Sequence, residues 1–197
     1  MTLASTARRP GAAVVLYALL WPLACAGVAP VVNTGFDTDL AGWSNPFGRP
    51  AAWDPLDALG EPGSGSARIG NDAPGNNATT LVLGQCVPVL PGQAYRFDAL
   101  GRVLPDQPAF VFVRLGAYAH ASPDCSGDLV SMHFDGQFSA DTVWRLIGGE
   151  VPAQPSVQAI RVWLAVGKPA GVTAPVFVQF DDVQLLADRI FASGFQP

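Results

Sequence analysis

Apolar and polar positions in this chain alternate in short runs, separated by clusters of Gly, Pro, Asn and Asp. The sharpest alternation sets Tyr95, Phe97 and Ala99 against Arg96 and Asp98. A second sets Ile160, Val162, Leu164 and Val166 against Arg161 and Trp163. A period of two residues is that of a β-strand with one wet face. Runs at 79–83, 94–100, 110–118, 128–134, 143–147, 158–166 and 176–186 predict strands of this kind. Phe110-Val111-Phe112-Val113 is apolar on both sides, which predicts a strand whose second face is also partly covered. No long amphipathic helical pattern accompanies these runs. The expectation is an all-β fold, two antiparallel sheets packed as a sandwich. Pro91-Gly92 is the plainest turn, and 45–77 is the longest stretch read as irregular, with 60–66 an exposed loop.

The N-terminus changes the picture of the mature molecule. Arg8 and Arg9 precede an apolar stretch over 11–23, and Ala24-Cys25-Ala26 offers small residues where a signal peptidase reads them. A secretory leader over 1–26 is therefore expected. Its removal would leave 9 basic against 16 acidic residues, a formal charge of −7 instead of −5. The alternative is a lipoprotein acylated on Cys25. No comparable apolar stretch follows, so no transmembrane segment is expected after cleavage. Lys168 is the single lysine of an acidic chain, which leaves little to neutralise a run of phosphates and excludes nucleic acid as an expected partner. Cleavage also leaves two cysteines, Cys86 and Cys125. An even pair in an exported protein predicts a disulfide.

Three segments then converge. Asn33-Thr34-Gly35-Phe36-Asp37 is followed by Leu40-Ala41-Gly42-Trp43; the middle carries Leu83-Gly84-Gln85-Cys86 running through Pro91-Gly92 to Tyr95; the last strand holds Val178-Gln179-Phe180-Asp181-Asp182-Val183. In this order, over 31–186, they resemble the jelly-roll carbohydrate-binding modules of the cellulose- and xylan-binding type, within the galactose-binding-like sandwich group. The length left after the leader fits one domain, expected as a jelly roll over 27–186 and as a monomer. The resemblance implies a structural Ca²⁺ between the opening acid, here Asp37, and the closing aspartate, Asp181, with Asp182 as the alternate. Asp181 and Asp182 are neighbours in a strand and must point to opposite faces, so only one can turn inward. A carboxylate buried there needs a partner, which a cation, backbone amides or an arginine would supply.

Sugar recognition on such a sandwich uses aromatic rings for the apolar faces of the sugar and polar side chains for its hydroxyls. Trp163 stands on the face opposite its strand's apolar row together with Arg161, Trp53 lies beside Asp54 in the irregular stretch, and Tyr118 ends its strand. These predict a platform of Trp53, Tyr118 and Trp163 with Arg161 and Asp54 as polar contacts and Gln158 reaching in from a strand end. Trp43 and Trp144 are expected in the core. No Gly-x-Ser-x-Gly elbow, His-Glu-x-x-His helix or phosphate-cradling glycine loop is present. A carboxylate pair that hydrolyses or eliminates on sugar remains an alternative, as does an adhesive sandwich with no sugar site. The tail over 187–197, with Ile190-Phe191 and Gly194-Phe195, resembles endings of exported Gram-negative proteins, so the expected location is secreted, periplasmic or cell-surface.

Overall fold

A computed structural model describes residues 30–73, 79–107, 110–139 and 142–188, with the side chains of 138 and 139 excepted. The expected leader, Cys25 and the tail from 189 onward lie outside the described residues. Nine strands follow one another: β1 (Ala51–Asp54), β2 (Ser66–Asn71), β3 (Thr79–Pro88), β4 (Tyr95–Val103), β5 (Val111–His120), β6 (Leu129–Ser139), β7 (Arg145–Val151), β8 (Ala159–Gly167) and β9 (Val176–Ala187). They form two antiparallel sheets, one of five strands in the order β1-β2-β9-β4-β7 and one of four in the order β3-β8-β5-β6. Among the described residues no helix is long and apolar enough to cross a membrane.

The alternation that predicted the strands also builds the core. Leu115 and Ala117 of β5 and Val162 and Leu164 of β8 face Phe97 and Ala99 of β4 and Val178 and Phe180 of β9, all fully buried. Burying each of the larger side chains contributes roughly 1.5–3 kcal/mol. Trp43 is buried as expected and packs 5.5 Å from Phe36, closing one end of the core. The opening segment is held to β3 by Gln85, whose amide accepts from Val32 N at 2.7 Å and donates to Val32 O and Gly42 O. The predicted disulfide joins Cys86 of β3 to Cys125 in the loop between β5 and β6.

Two strands, β1 and β2, lie inside the stretch read as irregular. Their signal is faint because β1 is four residues long between Pro50 and Pro55, and β2 holds Ser66, Arg68 and Gly70 in place of a clean apolar row. Gly70 is required there, since a Cβ would stand 2.6 Å from the Phe177 ring. In β9 the register slips opposite Asp98 and Leu100, and Asp182 takes a φ of 48°. This bulge moves the buried parity from Val178 and Phe180 to Val183 and Leu185.

Candidate functional site

The outer face of the four-stranded sheet is lined with rings. Trp163 of β8 is opposite Gly84 of β3 and Gly116 of β5, and Gly116 is opposite Phe134 of β6. These glycines make room for the rings. A Cβ on Gly84 would come 2.6 Å from Trp163, and one on Gly116 2.7 Å from Phe134. Tyr118 stands edge-on to both, its ring 5.3 Å from Phe134 and 6.2 Å from Trp163. Burial raises the Tyr118 phenol above its ordinary pKa, with the Arg114 charge pulling the other way. Arg114 lies 4.3 Å over the Phe134 ring and 5.3 Å from Phe112, and Arg161 lies 5.6 Å from the Trp163 ring.

Trp163 departs from its expected exposure. It is on the predicted face, but only 4% of it is accessible, because Phe47 covers it at 6.0 Å and Arg161 and Tyr118 flank it. Its indole Nε1–H is buried without an acceptor. Phe47 is itself 57% exposed and comes from a loop. The expected single platform also divides. Trp53 sits on β1 at the edge of the other sheet, 37% exposed, and donates from Nε1 to Phe36 O at 2.6 Å. Asp54 caps its own turn by accepting from Leu56 N. Gln158 is exposed just before β8, where its backbone N–H donates to His120 O. The chain thus brings together Trp163, Tyr118 and Arg161, and not Trp53, Asp54 or Gln158.

Phe112, Phe134, Arg114 and Phe47 complete the face and escape a reading that weighs Trp and Tyr alone. The signal for Phe112 is the run apolar on both sides. For Phe134, it is the outward parity shared with Met132 in β6, which only the pairing to β5 reveals. Trp144 is half-buried, not core, with the Arg102 guanidinium 4.8 Å from its ring.

A second constellation lies at the start of the chain. Asp181 is 1% exposed, accepts from Ala58 N and Asp182 N at 2.8 Å each, and is pushed up to about 7, chiefly by burial. Those amide bonds are the partners foreseen for a buried aspartate. Asp182 is half-buried on the bulge. A Cβ on Gly35 would stand 3.5 Å from Asp37 Oδ1, 3.7 Å from Ser64 Oγ and 3.9 Å from Asp181 Oδ1. The two carboxylate oxygens are of the hard kind that Ca²⁺ takes, while Ser64 Oγ donates to Gly35 O at 3.0 Å. Asp182 is not among them. Among the described residues no three His, Cys, Asp or Glu side chains gather at metal distance, so carbonyls or water would have to complete such a shell.

A cleft of about 310 Å³ opens where β4 and β7 of the other sheet meet β6, lined by Arg96, Asp98, Asp135, Leu146, Gly148 and Glu150. Two of its acids are engaged: Asp98 with Arg96 at 2.9 Å, and Asp135 as acceptor from Gly148 N at 2.8 Å.

No family model matches the sequence, and no curated protein matches it. Solved structures do match. The TmCBM61 module in complex with β-1,4-galactotriose is 17% identical with a TM-score of 0.51, over 80% of this chain and 97% of the module. The chain shares the jelly-roll β-sandwich fold of that module. The Clostridium thermocellum xylanase 10B chain with CBM22-1 and GH10 modules, complexed with xylohexaose, is 14% identical with a TM-score of 0.52. This chain covers 81% of itself there but spans 29% of the xylanase chain. The arabinose-bound MgGH51 α-L-arabinofuranosidase is 15% identical with a TM-score of 0.58, over 80% of this jelly roll and 26% of that chain.

Proposed function

We propose that this chain is a non-catalytic carbohydrate-binding domain, exported by a Gram-negative bacterium, that holds a polysaccharide as a monomer against the outer face of its four-stranded sheet. The observation that carries this reading is the set of rings Tyr118, Phe134 and Phe112 on one sheet face, with the buried Trp163 beside Tyr118 and two guanidiniums against the rings. Rings on a sheet offer the broad apolar surface that a sugar's C–H faces need, and the guanidiniums offer donors for its oxygens. Two features support a binding role over catalysis. Matches that span nine-tenths or more of the other chain include carbohydrate-binding modules, whereas the hydrolase chains are covered over less than a third. Asp98 and Asp135 of the cleft described above are also tied, to Arg96 and to a backbone amide. The disulfide supports export.

Retention on immobilised polysaccharides tests the reading. Tyr118→Ala and Phe134→Ala should each weaken retention by about 10-fold or more, in line with roughly 1–3 kcal/mol for a stacked ring. Trp53→Ala should leave it unchanged. Loss of retention on Trp53→Ala alone would move the site to the other sheet. A chain that retains no glycan at all would be an adhesive or structural sandwich.

We also propose that Asp37 and Asp181 hold a structural Ca²⁺ beside Gly35. When bound, the ion would supply the positive charge that the buried Asp181 carboxylate lacks. An excess of chelator should lower the melting temperature, and an unchanged melt would remove the site.

A further inference from the structure

We infer that the glycan held on this face is anionic, with its carboxylates received by Arg114 and Arg161. The inference rests on the binding reading above and deepens it. It starts from the donor and acceptor inventory of the face. None of the outward register positions on β3, β8, β5 and β6 carries Asp, Glu, Asn or Gln. Asp135 and Gln137 of β6 pair with Leu115 and Val113, so they have the opposite parity. What the face presents is two guanidiniums, both donors, beside one phenol. A neutral sugar hydroxyl both donates and accepts, and is best met by amides and carboxylates. A carboxylate only accepts, and a planar guanidinium meets it with two parallel bonds.

The charges agree. In a chain of formal charge −5, Arg49 is paired with Asp72 and Arg96 with Asp98, whereas among the described residues no carboxylate lies within 4.0 Å of Arg114 or Arg161. Arg114 Nη1 has a 3.4 Å contact to Thr79 Oγ1, and Arg161 has only the Trp163 ring beneath it. The nearest loop acid by sequence to the disulfide, Asp124, spends its carboxylate on Ser126 and Ser122, which holds its pKa down at about 2. Both arginines are held against rings, which limits the side-chain freedom lost on binding.

The experiment compares polygalacturonate with the same polymer after reduction of its carboxyl groups, and adds dextran sulfate as an anion of different chemistry. Affinity electrophoresis of the full chain reads all three, with melting temperature recorded for every variant. Polygalacturonate should bind at least 10-fold more tightly than its reduced form. Arg114→Gln and Arg161→Gln should each remove most of that difference at unchanged melting temperature, and Arg161→Lys should recover only part of it. Equal binding of dextran sulfate and polygalacturonate would overturn the carboxylate assignment in favour of general polyanion attraction. Equal binding of native and reduced polymer, with Tyr118→Ala still harmful, would overturn the inference and leave the binding reading standing. No binding of any polymer would overturn both.

Discussion

Asp181 places a carboxylate where no cationic side chain among the described residues pairs with it. Its pKa in the folded chain is about 7 against an ordinary 3.8, so between those values the folded state binds more protons than the unfolded one. The contribution of Asp181 to stability then falls as pH rises from about 4 to about 7, and is lost above 7. In excess chelator the melting temperature should drop by several degrees across that window. Added Ca²⁺ should restore it at pH 8, where the ion takes the place of the proton. Asp181→Asn should flatten both responses. A wild-type melt flat across that window would show that the amides of Ala58 and Asp182 are sufficient partners. At this scale the sequence indicated that one aspartate of the pair would be buried, since neighbours in a strand diverge. It could not indicate which, because the bulge at Asp182 depends on pairing with β4.

Strands with one wet face are readable because burial repeats every second residue, and β5 shows it along most of its length, whereas β8, expected to have one wet face, is buried on both faces except at Arg161. β3 runs on past its predicted end through Gly84 to Pro88, since the residue that reads as a breaker is the one the Trp163 ring requires. The same dependence hid half of the ring face. Which outward residues become neighbours is set by cross-strand register, and no pattern within one strand contains it. Gly84→Ala tests that link. Its Cβ would stand 2.6 Å from the Trp163 ring, which Phe47 covers, so the ring must shift. Overpacking of this kind costs about 1–3 kcal/mol. A urea titration should show that loss, and glycan retention should weaken with it as Tyr118 and Arg161 lose their backing. An unchanged denaturation midpoint would mean that the ring moves freely and is no fixed part of the face.

Across the whole molecule, the Cys86–Cys125 bridge links folding to the proposed site. Cys86 lies on the edge strand β3 opposite Arg161, which is itself opposite Tyr118 of β5, and Cys125 is in the loop that leaves β5 for β6. The bridge therefore draws that loop back across the sheet towards β3, next to the guanidinium. Closing a separation of 39 residues restricts the unfolded chain by about 4 kcal/mol in the loop-entropy model. Replacing both cysteines by serine should accordingly lower the melting temperature by roughly 8–16 °C, taking about 2–4 °C per kcal/mol for a domain of this size. If the bridge also fixes the Arg161 end of the face, glycan affinity below the melting transition should fall in the double variant, and fall less for a ligand too short to reach Arg161. A variant with the lowered melt and unchanged affinity for both ligands would confine the disulfide to stability. The pairing of Cys86 with Cys125 could be read once Cys25 was assigned to a cleaved leader of an exported protein, whereas their place beside Arg161 is a property of strand order, which only the folded chain displays.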